Sequence, residues 1–185
     1  MDSAIFLEWF RYAVNRVGSG YFGYAERVYC YELYHFLRVA MHHHERVNGP
    51  IGNIYLHSEL VKAVISTDIA QRYEVWPLSA QRMPDFLFHT PGNFDNQVAA
   101  IEVKVSPALS SADLIDDLKK LTELRQNYRY DLGIFHCVNI ESYRLRLLLQ
   151  RANAENMVLD QDILVECKSS HGAPIESFRL SELLT

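Results

Sequence analysis

Two apolar, strand-forming runs, residues 83–89 and 98–105, flank the turn-rich stretch Thr90-Pro91-Gly92-Asn93-Phe94-Asp95-Asn96. This pattern predicts an antiparallel hairpin at the centre of the chain. Charges interrupt both runs: Asp85 follows Pro84 in the first, and Glu102 and Lys104 stand in Ala100-Ile101-Glu102-Val103-Lys104-Val105. Side chains alternate along a strand, so Glu102 and Lys104 share one face while Ile101, Val103 and Val105 take the other. A loop centred between Asn93 and Phe94 puts Asp85 across from Glu102, where two like charges repel. An ionised carboxylate buried without a partner costs several kcal/mol. A cation between the two acids removes that penalty, and two carboxylates, a carbonyl and waters are a ligand set for a hard divalent ion such as Mg²⁺. Lys104 then points into the same space, where an ammonium can position an attacking water or stabilise charge developing on a phosphate.

At Pro84-Asp85 and Glu102-Val103-Lys104 the chain resembles the PD-(D/E)xK nuclease superfamily, which includes restriction endonucleases and Holliday-junction resolvases. The resemblance implies catalytic metal, Mg²⁺ or Mn²⁺, on Asp85 and Glu102, with Lys104 assisting hydrolysis of a phosphodiester in DNA. It also implies an α/β fold: a restriction-endonuclease-like core of helix-β-β-β-helix-β, with a mixed central sheet flanked by helices. The order of expected elements fits that core over about residues 24–168. Residues 24–43 are a helical candidate, 54–60 a first strand, and the hairpin supplies the second and third. Ser110 or Ser111 can cap the next helix, whose apolar face is Leu114, Leu118, Leu121 and Leu124. Residues 131–139 read as a fourth strand, in a strand-helix-strand unit that favours parallel pairing. Residues 142–153 read as a helix and 163–168 as a further strand. Residues 61–81, between the first two strands, are where substrate specificity is expected.

The superfamily often adds an acid from the first helix. Glu32, among Tyr31, Leu33, Tyr34 and Phe36, is the favoured candidate and Glu26 the alternative. The two point about 120° apart on a helix, so only one serves. Expected phosphate contacts are Arg38 and Arg46 after the first helix, Lys119 and Lys120 on the second, and Arg125 and Arg129 near its end. An ordinary Asp116–Lys120 surface pair explains that lysine equally well.

A chain of 185 residues, 49% hydrophobic, suffices for one domain with a buried core. It contains no stretch approaching the roughly 20 apolar residues of a membrane span and no signal-peptide pattern, so a soluble, cytoplasmic protein is expected. Cys30, Cys137 and Cys167 are isolated in sequence and expected as buried, reduced thiols. His42-His43-His44 fan out around a helix and are expected as solvated residues rather than a metal cluster. Glu166-Cys167-Lys168, a second acid-x-lysine without a Pro-Asp partner, is expected as the exposed face of a strand. A net charge of −5 opposes DNA binding, which is driven by basic footprints. Partly offsetting it, 13 of the 18 basic residues are arginines, which grip phosphate bidentately. The alternative to a nuclease is a catalytically inactive module of the same fold that binds nucleic acid or a protein partner. A purely structural Asp85, Glu102 and Lys104 triad is the third reading. The resemblance further implies a homodimer, two sites addressing two strands.

Overall fold

The computed structural model describes residues 2–23, 25–59, 62 and 65–184. The element order is α1 (Ser3–Arg16), α2 (Glu26–Asn48), β1 (Tyr55–Ser58), α3 (Thr67–Arg72), β2 (Phe86–His89), β3 (Gln97–Lys104), α4 (Ser111–Tyr128), β4 (Leu132–Val138), α5 (Ser142–Arg151), β5 (Leu164–Lys168), β6 (Glu176–Arg179) and α6 (Leu180–Leu184). The strands form one mixed sheet in the order of the chain. β1, β2 and β3 are antiparallel neighbours; β3, β4 and β5 run parallel; β6 returns antiparallel. The α/β class and mixed sheet flanked by helices match the sequence expectation. Each expected element is found within a few residues of its bounds, although Tyr24 and Leu60 lie outside the described residues.

Helices cover both faces of the sheet, and two separate cores result. On one side Phe6, Phe10 and Val14 of α1 and Tyr29, Leu33 and Leu37 of α2 pack on Phe86, Phe88, Ile101 and Val103. On the other, Leu114, Leu118 and Leu121 of α4 and Leu145 and Leu149 of α5 pack on Leu87, Ala100, Phe135 and Val165. β3 is buried on both faces along nearly its whole length, as a strand in the parallel interior of a sheet must be. Serine at the start of α4 settles as Ser110, whose Oγ accepts from the Asp113 N–H at 3.1 Å.

Four elements have no counterpart in the sequence expectation: α1, α3, β6 and α6. α1 is fastened by Arg11, whose Nη2 lies 2.7 Å from Glu166 Oε1, and Ser177 of β6 donates to the same oxygen at 2.9 Å. This corrects the reading of Glu166 and Lys168 as an exposed strand face, since both are buried. Lys168 Nζ donates to Asn15 Oδ1 at 3.0 Å and to the Ala173 carbonyl at 2.8 Å. The cause is a helix that the sequence reading did not place over β5.

Two polar contacts fix the start of α2. His136, fully buried, has Nδ1 2.8 Å from the Glu166 carbonyl and Nε2 2.9 Å from the Tyr29 hydroxyl. A carbonyl only accepts, so Nδ1 carries the proton and Nε2 accepts from Tyr29. Asn139, left-handed at φ 61°, donates to the Phe22 carbonyl at 2.6 Å just before α2. Glu26 is thereby held over the C-terminal end of β3.

The three cysteines are free and buried. Cys137 and Cys167, isolated in sequence, are register partners on β4 and β5 with their sulfurs 3.1 Å apart. Among the described residues no helix is long and apolar enough to cross a membrane.

Candidate active site

The strand register pairs Phe86 with Ile101 and Leu87 with Ala100, which sets Asp85 across from Glu102 as the hairpin spacing requires. Asp85 lies just before β2, where its Oδ2 accepts from the Val103 N–H at 2.7 Å and its carbonyl accepts from the Glu59 N–H at 3.0 Å. Glu102 and Lys104 point away from Val103 and Ile101, toward α4. Lys104 sits where β3 ends, and its Nζ is 3.4 Å from Glu26 Oε1 and 3.3 Å from Asp117 Oδ2.

Of the two helix acids, Glu26 reaches this group and lines a small cavity with Asp85 and Cys30. The alternative acid, Glu26, is thus the one brought to this group, while the favoured candidate, Glu32, is half-buried on another face of α2. The buried stripe of α2 is Tyr29, Cys30, Leu33, Leu37 and Met41; Glu26 precedes Tyr29 and Cys30 by three and four residues and so shares their face.

Sequence reasoning missed Asp117. Its carboxylate is buried on α4 and stands between two ammonium groups, Lys104 at 3.3 Å and Lys120 at 3.2 Å. The signal was present: Asp117 falls within Leu114-x-x-Asp117-Leu118-x-x-Leu121, inside the apolar stripe.

Lys120 is part of the site rather than a surface cation. Its Nζ is 2.8 Å from Glu102 Oε1, an ion pair whose alignment leaves that oxygen without a hydrogen bond. It pairs on its own helix with Asp117, not with Asp116. Arg125 is likewise committed, 2.7 Å from Asp160 and donating to the Asp131 carbonyl. Arg129 ends α4 in the left-handed conformation and donates to the Glu74 carbonyl. Arg38 and Arg46 are exposed on α2, about 18 and 30 Å along the helix from Glu26 at 1.5 Å per residue. Lys119 is exposed one position from Lys120. The six expected phosphate contacts therefore do not gather into one groove.

Burial dominates the electrostatics. It raises the Asp85 carboxyl to about 6, with the Val103 N–H and Lys104 pulling down and Glu26 pushing up. Burial, then the charges of Asp85 and Asp117, push Glu102 well above the carboxylate range against the pull of Lys120. For Lys104, burial works downward, and Asp117, Glu26 and Asp85 together overcome it and hold the amine above the ordinary lysine range. Lys104 is thus a fixed ammonium at neutral pH, able to donate hydrogen bonds and unable to act as a base. Beside it, a cleft of about 260 Å³ is lined by Lys104, Ser106, Asp113, Asp116 and Asp117. So many acids about two lysines form a field that attracts cations. Among the described residues, however, no three His, Cys, Asp or Glu side chains group as metal ligands in this arrangement.

His42 and His43 are exposed, while His44 packs edge-on against Trp9 with centroids 4.9 Å apart. They do not converge. Comparison with models of known protein families finds no match, and neither curated proteins nor solved structures match the chain.

Proposed function

We propose that this protein is a metal-dependent nuclease of the restriction-endonuclease-like, PD-(D/E)xK kind, hydrolysing phosphodiester bonds in DNA. The observation that carries this reading is the placement of Asp85 opposite Glu102 on paired strands, with Lys104 on the same face and Glu26 brought to it from α2. Support also comes from the succession α2, β1, β2, β3, α4, β4 in a sheet whose strands keep chain order. The donor chemistry fits Mg²⁺ or Mn²⁺: hard carboxylate oxygens, and two acids whose charged forms are disfavoured by burial until a cation arrives.

Asp85, Glu102 and Glu26 would hold the ion, which supplies an acidified water and neutralises phosphate charge. Lys120 must then leave Glu102 Oε1, and Asp117 remains as its partner. Val103 N–H fixes the Asp85 carboxylate. Lys104, kept charged by Asp117 and Glu26, donates toward the attacking water or the phosphate oxygen. An acidic site of this kind admits a polyanion only with its cation bound.

Asp85→Ala, Glu102→Ala and Lys104→Ala are each expected to abolish Mg²⁺-dependent cleavage of plasmid and oligonucleotide DNA while leaving the circular-dichroism spectrum unchanged. Undiminished cleavage by Lys104→Ala would sink the proposal. The Lys120–Glu102 ion pair favours a second reading, an inactive module of the same fold that binds nucleic acid or a protein partner. Calorimetric titration with Mg²⁺ or Mn²⁺ separates the two: heat that disappears in Asp85→Ala supports the nuclease, and its absence supports the module.

A further inference from the structure

The same face of the sheet carries a second polar group at the other end of β2. His89 is four residues beyond Asp85, about 13 Å along the strand, and is buried beneath Tyr130. Lys62 Nζ lies 3.3 Å from His89 Nδ1, and His57 Nδ1 lies 3.0 Å from His89 Nε2. An ammonium only donates, so His89 accepts at Nδ1 and passes its own proton on Nε2 toward His57. Burial, with the charges of Lys62 and His57, lowers His89 to about 3, which keeps this ring neutral. The ammonium therefore donates a hydrogen bond to His89 and gains no counter-charge.

Lys62 is held in place by a backbone bridge to Arg82, with hydrogen bonds in both directions. Its ammonium stands 5.8 and 5.5 Å from the ring centroids of Tyr128 and Tyr130, contacts that favour a cation. Burial alone lowers its pKa to about 8. No carboxylate among the described residues offsets that cost, unlike at Lys104.

The ammonium opens onto a cleft of about 500 Å³ whose lining includes Lys62, Arg72, Tyr73, His89, Phe94 and Tyr128 and contains no acid. Phe94 meets Tyr128 edge-on at 4.9 Å and Tyr73 at 5.4 Å, so one wall is aromatic. Gly92, at φ 82° with open space where a side chain would stand, keeps the rim low. A cleft of this size holds a small organic ligand. Two cations without an acid select an anion, and the rings select a flat apolar partner.

We propose that this cleft binds a nucleotide, with the phosphate on Lys62 and Arg72 and the base against Tyr73 and Phe94, which Tyr128 backs from the core. The inference stands apart from the nuclease reading, because none of its residues belongs to the Asp85 site. The nucleotide can be free or the end of a strand, and the two sources share the same phosphate-and-base chemistry.

Isothermal titration of the full chain with adenosine 5′-monophosphate, adenosine and a 5′-phosphorylated tetranucleotide tests it, in cation-free buffer so that cleavage does not interfere. Lys62→Met keeps the aliphatic stem and removes the charge; Arg72→Ala alters an exposed side chain. A charge-assisted hydrogen bond is worth roughly tenfold or more in affinity, so the monophosphate is expected to bind at least tenfold tighter than adenosine and tenfold tighter than it binds Lys62→Met. Arg72→Ala is expected to weaken it severalfold. Tighter binding of the tetranucleotide identifies a strand end as the source, and tighter binding of the monophosphate a free nucleotide. No heat from either at about 1 mM, equal binding of adenosine, or unchanged affinity in both variants would overturn the proposal. An Asp85→Ala protein that cannot cleave but still binds the monophosphate keeps the two proposals separate.

Discussion

At the scale of single residues, the site stores unfavourable electrostatics. Asp85 sits at about 6, chiefly because it is buried, whereas an unfolded aspartate titrates near ~4. The folded chain therefore holds that proton more tightly, and stability falls as pH rises from about 4 to about 6 and stays lower above. Asp85→Asn removes this loss while keeping an oxygen for the Val103 N–H. The variant is expected to exceed the parent by about 2 kcal/mol at pH 7.5 and to match it at about pH 4, by thermal unfolding without divalent ions. Equal melting at both pH values would show that Asp85 carries no such strain. The acids and the lysine were legible in the sequence because period-two alternation leaves few alternatives for a charge inside an apolar strand. The helix acid was not: Glu32 stands among apolar neighbours in sequence, but the buried face of a helix is set at three- and four-residue spacings, and by that measure Glu26 belongs with Tyr29, Cys30 and Leu33.

At the scale of elements, α1 shows what local pattern leaves out. Its apolar residues Phe6, Phe10, Ala13 and Val14 are spaced for a helix, yet the contact that seats it joins positions 155 apart in sequence, Arg11 and Glu166. No local reading of Ile163-Leu164-Val165-Glu166 reveals that a distant arginine covers the acid. Arg11→Ala leaves Glu166 buried with only Ser177 on that oxygen, and a loss of about 2–3 kcal/mol is expected in urea unfolding. The double replacement Arg11→Met, Glu166→Met is expected to recover most of it, since two apolar side chains fill the site without an uncompensated charge. Failure of the double variant to recover would mean that shape, rather than charge, seats α1. Apart from α3, the strands and helices from β1 to β5 were legible to within a few residues, because alternating and 3.6-residue patterns coincide there with turn residues and a serine cap.

At the scale of the whole molecule, the folded unit cannot be cut down to the expected core of about residues 24–168. α1 places Phe6, Trp9, Phe10, Ala13 and Val14 in the core shared with α2 and β3. Burying a large apolar side chain is worth about 1.5–3 kcal/mol, and a domain holds only about 5–15 kcal/mol in all. Removal of residues 1–17 is therefore expected to abolish the cooperative thermal transition, and a truncated chain that melts like the parent would refute this. The two edges of the sheet have a different consequence. β1 and β6 are four residues each, and β6 carries Glu176 and Arg179. Both borders are short and that of β6 is charged, so each offers a second copy little backbone to hydrogen-bond with, which disfavours lateral growth into a longer sheet, the route by which exposed strands seed fibrils.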